Sequence, residues 1–157
     1  MEDNKKSTWE KIFSESDQYF KCYQDYKLSL TAKMSLISSA VNMMSGLNFV
    51  GFYLKIDEEN LEIGPFQSNH LPCPRIKIGN GVCGSCWKNL KTEIVEDVSK
   101  IENYIACDDV TQSEIVIPYL DKEGNFVGVL DIDSPILNNF DSIDEHYLKK
   151  ILELLNN

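Results

Sequence analysis

The chain has 157 residues, 43% of them hydrophobic, which suits one globular domain spanning 1–157 with an ordinary core. Its 15 Lys and Arg against 25 Asp and Glu give a formal charge of -10, which repels phosphate backbones and anionic lipid and sets aside nucleic acid and membrane as partners. Met1–Lys11 is charged and polar, and no apolar run has the length of a signal peptide or a membrane span, so the expected location is cytoplasmic.

In chain order, Ser7-Thr8-Trp9-Glu10 reads as a capping box, and Trp9, Ile12, Phe13 and Phe20 supply a partial helical face. Leu30, Met34, Ile37, Val41 and Met44 repeat that spacing over Leu28–Met44, with Gly46 expected as the C-terminal cap. Two N-terminal helices are therefore predicted over about 8–45. Asn48–Ile56 and Leu61–Phe66 flank the Asp57–Asn60 turn as a hairpin. Arg75–Ile78 predicts a short strand, Val82–Leu90 a short helix and Thr92–Val95 another strand, followed by an irregular stretch through Asp109. Ser113–Leu120 and Phe126–Asp133 form the clearest hairpin, with Pro118 expected at an edge or a bulge. Ile143, Tyr147, Leu148, Ile151 and Leu155 mark a C-terminal helix over about 142–156, capped by Asp141 or by Ser142 with Glu145. Hairpins without repeated strand-helix units favour an antiparallel sheet flanked by helices, the α+β class.

Cys73, Cys83, Cys86 and Cys107 fall within one short stretch, and in a reducing cytosol such clustering points to catalytic, redox or metal-binding thiols more than to structural staples. Gly79-Asn80-Gly81-Val82-Cys83-Gly84 leads from a strand into a helix, so Cys83 is expected in the first turn, where free amides favour a thiolate or a ligand carboxylate. A glycine turn carrying a buried, inert cysteine is the plain alternative. Cys86 lies three residues on, on the same side of the helix, where a dithiol is geometrically plausible. Four thiolates on zinc is the other reading, weakened because only one CxxC pair exists. Cys22 reads as core or surface filler, and His70 and His146 as solvated side chains.

Asp131 and Asp133, two apart in a strand, share a face, and the hairpin brings Glu114 opposite or diagonal to them. Clustered carboxyls hold a proton or bind a cation, which suits a general acid and an ammonium anchor; solvated acids at strand ends are the alternative. A thiol beside a protonated acid fits sulfoxide reduction, because the sulfur becomes open to thiolate attack as its oxygen gains a proton. The products are a thioether and a sulfenic acid, which a second thiol condenses to a disulfide for an external dithiol to reduce.

Gly64-Pro65-Phe66-Gln67, Cys73 with Arg75-Ile76, Gly81-Val82-Cys83-Gly84, Ile105-Ala106-Cys107-Asp108, Ser113-Glu114-Ile115-Val116 and Gly128-Val129-Leu130-Asp131-Ile132-Asp133 together resemble the free methionine-R-sulfoxide reductases, single-domain enzymes of the GAF fold. The resemblance implies a six-stranded antiparallel sheet and a small closed pocket for a free amino acid, with no metal or organic cofactor. It assigns Cys107 as nucleophile, Cys73 as first resolving thiol and Cys83 as the other recycling thiol, the Cys83 and Cys107 roles being exchangeable. It further assigns Glu114 and Asp133 to sulfoxide protonation and substrate positioning, and Asp131 to the ammonium. Thioredoxin is the implied reductant and a homodimer the implied assembly. Phe49 stands where relatives commonly carry Trp against the substrate, Ser68–Pro72 is one residue longer, Cys86 replaces a small residue, and Tyr104 replaces a frequent His. A GAF sensor that binds a small ligand and reacts once is the alternative of another class.

Overall fold

A computed structural model describes residues 2–157 as four helices around one six-stranded sheet. The helices are α1 (Glu2–Cys22), α2 (Leu30–Val41), α3 (Gly81–Asn89) and α4 (Ser142–Glu153). The strands are β1 (Phe49–Lys55), β2 (Asn60–Ser68), β3 (Arg75–Lys77), β4 (Glu93–Val95), β5 (Ser113–Leu120) and β6 (Phe126–Ser134). Their order is β3-β2-β1-β6-β5-β4, every pairing antiparallel, as the α+β reading expects.

Strand alternation divides the sheet between two cores. Val50, Phe52, Ile115, Ile117, Leu130 and Ile132 face α1, α2 and α4 and complete a core with Trp9, Met34, Ile37 and Leu148. Their neighbours in the strands, among them Phe49, Tyr53, Val116 and Val129, face the other way and meet Val82, Cys83, Cys86 and Trp87 of α3. The second face carries the acids, and α3 is the only α-helix among the described residues that covers it, with Val98 of a 3-10 turn beside it. Gly84 allows that approach, since a Cβ there would run into the Lys77 carbonyl.

Turn chemistry holds the hairpins. Asp57 Oδ1 accepts from the Glu59 and Asn60 amides at 2.8 and 2.7 Å, and Asp121 Oδ1 does the same for Glu123 and Asn125 at 3.0 and 2.8 Å. Pro118 sits on β5 beyond the short β4, which pairs only Glu114–Val116, so its missing N–H breaks no ladder bond on that side.

Two boundaries differ from the sequence reading. α1 begins at Glu2, not at a Ser7 cap, and Thr8 Oγ1 donates back to Asn4 O inside the helix at 2.9 Å. The added turn is held by tertiary contacts: Lys5 Nζ reaches Asp141 and Asp144 at 2.9 and 2.6 Å, and Trp9 Nε1 donates to Asp144 at 2.7 Å. α2 ends at Val41, and Gly46, at φ +79, belongs to a later turn whose carbonyl accepts from Ser134 Oγ at 2.6 Å. α4 is capped by Asp141 with Asp144 in a reciprocal capping box.

Candidate active site

The β5–β6 register sets Glu114 directly opposite Asp133 and Val116 opposite Asp131, so all three acids stand on the α3 face. Asn80 and Gly81 turn the chain into α3 and place Cys83 in its first turn, against these acids. Cys83 is 3% exposed, Glu114 5%, Asp131 6% and Asp133 8%. The Cys83 sulfur and carboxylate oxygens of Glu114 and Asp131 lie within 4.8 Å of one another.

Burial dominates the electrostatics of this cluster. It pushes the Glu114 carboxyl well above its ordinary range, with the charges of Asp131 and Asp133 adding to it. Asp133 is raised in the same way, by burial and then by Asp131. Asp131 is lifted to about 6 by burial, restrained by hydrogen bonds from the Cys83 thiol and the Glu114 carboxyl. Cys83 is raised well above the usual thiol value by burial and then by Asp131 and Glu114. Desolvation and the neighbouring carboxylates thus oppose the activation expected from the helix N-terminus and favour the thiol form of Cys83. Asp131 Oδ1 and Asp133 Oδ1 are buried and accept no hydrogen bond. Such atoms cost about 1–3 kcal/mol each unless a donor reaches them, so this face is built to receive one.

Above the acids, Cys73 and Cys107 are joined by a disulfide with Cα atoms 5.2 Å apart, tying the β2–β3 connection to the irregular segment before β5. The Tyr53 hydroxyl donates to the Cys73 carbonyl at 3.0 Å. Beneath the bridge is a cavity of about 20 Å³ lined by Cys83, Tyr104, Cys107, Glu114, Asp131 and Asp133 among others. That is about the room of one water. A larger hollow of about 530 Å³ beside the end of α1 is lined by Phe20, Tyr23 and Leu28 and holds no cysteine, so volume does not mark the site.

Cys86 is buried on α3, with its thiol turned to the Val116 carbonyl at 3.7 Å, and Cys22 is exposed. The four-thiolate zinc alternative is thereby set aside: Cys73 and Cys107 are bonded to each other, Cys86 points into the core, and the sulfurs form no common cluster. Phe49 lies opposite Asp133 but is buried, stacked on Phe66 at 6.0 Å between ring centroids, and does not line the cavity. Gly51 makes that stacking possible, because a Cβ there would come within 2.6 Å of the Phe49 ring and of Phe66 Cβ.

His146 is exposed as expected, but His70 is not a solvated side chain. Its Nε2 lies 3.1 Å from Asp108 Oδ2 and its Nδ1 3.0 Å from Ser68 Oγ, outside the cavity. Although burial opposes it, hydrogen bonds from Thr111 and Val110, with His70 alongside, hold the Asp108 carboxyl below its usual range. Proximity was the available signal, since His70 precedes Cys73 by three residues and Asp108 follows Cys107 directly.

No family model matches the chain. GAF domain-containing protein A of Dictyostelium discoideum is 45% identical over 150 residues, 92% of this chain and 94% of that protein. The free methionine-R-sulfoxide reductase of Saccharomyces cerevisiae is 40% identical over 131 residues, 82% of this chain and 72% of the yeast protein. The crystal structure of the Neisseria meningitidis free methionine-R-sulfoxide reductase in complex with its substrate superposes with a TM-score of 0.86 at 32% identity, over 97% of this chain and 88% of that one. Sequence and fold thus agree over most of the chain, which belongs to the free methionine-R-sulfoxide reductase family and carries its GAF fold.

Proposed function

We propose that the chain reduces free L-methionine-R-sulfoxide to L-methionine by thiol chemistry, without metal or organic cofactor. The observation that carries this reading is the buried Glu114, Asp131 and Asp133 cluster lying under the Cys73–Cys107 disulfide. A carboxyl held neutral by burial can hand its proton to the sulfoxide oxygen while the Cys107 thiolate attacks sulfur. The attack joins the Cys107 sulfur to the substrate sulfur; the protonated oxygen then passes to the Cys107 sulfur as that sulfur–sulfur bond and the original sulfur–oxygen bond break, so that methionine leaves as the thioether and Cys107 keeps the oxygen as a sulfenic acid. Cys73 then attacks that sulfur, the disulfide forms and water departs. The bridged state is the product of that second step. Thioredoxin, a cytoplasmic dithiol, reduces it, and Cys83 serves as the further recycling thiol. Burial and the neighbouring carboxylates push the Cys83 thiol pKa up, which disfavours Cys83 as the attacking group and supports Cys107 in that role. Unpaired Asp131 Oδ1 and Asp133 Oδ1 suit the substrate ammonium, a group that a peptide-bound methionine lacks. Pairing of two copies belongs to the same reading, supported by the exposed Tyr19, Tyr23 and Met43.

The test is consumption of reduced thioredoxin with separated epimers of free and N-acetylated methionine sulfoxide. Continuous turnover on the free R epimer alone is the expected result. Equal rates on the N-acetylated compound would remove the ammonium anchor, and a single reaction without sustained turnover would favour a redox sensor.

A further inference from the structure

The disulfide is not the only tie between the two thiol-bearing segments. His70, on the β2–β3 connection, meets Asp108, the residue after Cys107, at 3.1 Å between Nε2 and Oδ2. Each end is held in place by further hydrogen bonds, and Asn48 takes part in both sets. Ser68 Oγ, 3.0 Å from His70 Nδ1, also accepts the His70 amide at 3.1 Å and donates to the Asn48 carbonyl at 3.1 Å, at the start of β1. Asp108 accepts from the Val110 and Thr111 amides, both at 2.7 Å, from the Thr111 hydroxyl at 2.8 Å and from Asn48 Nδ2 at 3.1 Å. Nε2–H can donate to Asp108 with the ring charged, or with it neutral if the Ser68 hydroxyl turns to Nδ1. Among the described residues no other hydrogen bond joins 69–74 to 101–111. Tyr53 fixes the Cys73 carbonyl to β1 but does not reach the Cys107 segment. Pro72 and Pro74 flank Cys73 and restrict the backbone on either side, so a fixed His70 also restricts where the Cys73 thiol can go.

We propose that His70 and Asp108 form a clasp that keeps Cys73 within reach of Cys107 while the disulfide is open, making His70 a positioning residue for the closing step. This rests on the reading of Cys73 as the thiol that captures a Cys107 sulfenic acid. In that step the Cys73 sulfur attacks the Cys107 sulfur, the sulfenic S–O bond breaks, an S–S bond forms and the hydroxyl leaves with the thiol proton as water. The clasp takes no part in bond making. It raises the effective concentration of one thiol at the other sulfur, which speeds closure and stabilises the bridge against reduction.

The test compares the parent chain with His70→Ala and with His70→Gln, whose side-chain amide reaches the place of Nε2 and keeps a donor for Asp108. Methionine formed and disulfide formed are followed separately after mixing reduced protein with the free R epimer. His70→Ala is expected to form methionine at the parental rate but to close the disulfide about tenfold more slowly. Its disulfide potential, measured in thiol buffers, is expected to become less negative by about 30 mV, the equivalent of tenfold for two electrons. His70→Gln is expected to recover most of both effects. Parental closure and potential in His70→Ala would overturn the clasp, as would a loss that His70→Gln does not restore, which would assign the effect to ring packing on Phe49. The potential needs no substrate. A chain that reduced no sulfoxide yet showed the shifted potential would overturn the proposed activity and leave the clasp in place.

Discussion

Glu114, Asp131 and Asp133 share one low-dielectric face, and their differing neighbours divide the work between them. Glu114, hydrogen-bonded to Asp131, is pushed toward the neutral form by burial and by the charges of Asp131 and Asp133, which suits it to protonate a sulfoxide. Glu114→Gln removes that proton while keeping size and a hydrogen-bond donor, so methionine formation is expected to slow about 10²-fold with the fold intact; rapid-quench rates at neutral pH check it. Among the thiols, Cys107→Ser is expected to abolish even a first turnover. Cys73→Ser should release methionine once and leave Cys107 as a sulfenic acid or bonded to Cys83, as mass spectrometry of the trapped protein would show. Cys86→Ser should cycle nearly normally, because that thiol faces the Val116 carbonyl and not the cavity. Full first turnover by Cys107→Ser with none by Cys83→Ser would exchange the two roles. The acid face was legible in the sequence, since a period of two and a short turn leave little freedom in how Glu114 meets Asp133. The character of Cys83 was not, because the helix that could activate it is local while the carboxyls that raise it arrive from β5 and β6.

At the scale of elements, the junction of α1 with α4 carries much of the helical layer. Asp144, 2% exposed, accepts from Trp9 Nε1 at 2.7 Å, from Lys5 Nζ at 2.6 Å and from the Asp141 amide at 2.8 Å. Asp144→Ala breaks a capping box and leaves a buried indole N–H without its partner, with a half-buried ammonium beside it, so a loss of about 3 kcal/mol is expected in urea unfolding. First-turnover rates should be unchanged in folded protein, because this junction lies across the sheet from the acids. The same contacts explain the misplaced start of α1: the Ser7 capping signal is local, but Lys5 and Trp9 gain partners 134 to 139 residues away that keep the preceding turn helical. Hairpins were legible because Asp57 and Asp121 close their own turns. The stretch from Ile101 to Gln112 has no apolar period, so the place of Cys107 beside the acids came only from the family resemblance, and the seat of Tyr104 in the same cavity was not foreseen.

Across the whole molecule, one sheet face serves stability and the other carries unfavourable buried charge, and the two should separate on titration. With the carboxyl pKa values of Glu114, Asp131 and Asp133 raised on folding, the native chain binds more protons than the unfolded chain above the ordinary carboxylate range. That contribution is fully present below the unfolded value and is lost as pH rises through the folded one, which for Asp131 means from 3.8 to about 6. Asp131→Asn, in the disulfide-bridged form, is therefore expected to be more stable than the parent at pH ~7 by roughly 2 kcal/mol, with the gain vanishing near pH ~4. Urea midpoints at the two pH values measure it. Function asks more directly whether acids and thiols act as one unit. Fully reduced chain, mixed with the free R epimer of methionine sulfoxide and no external dithiol, should yield one methionine per chain. Two thiols should be lost together, and peptide mapping should find them joined as Cys73–Cys107. Absence of methionine, equal yield from the S epimer, or methionine formed without that bridge would contradict the mechanism.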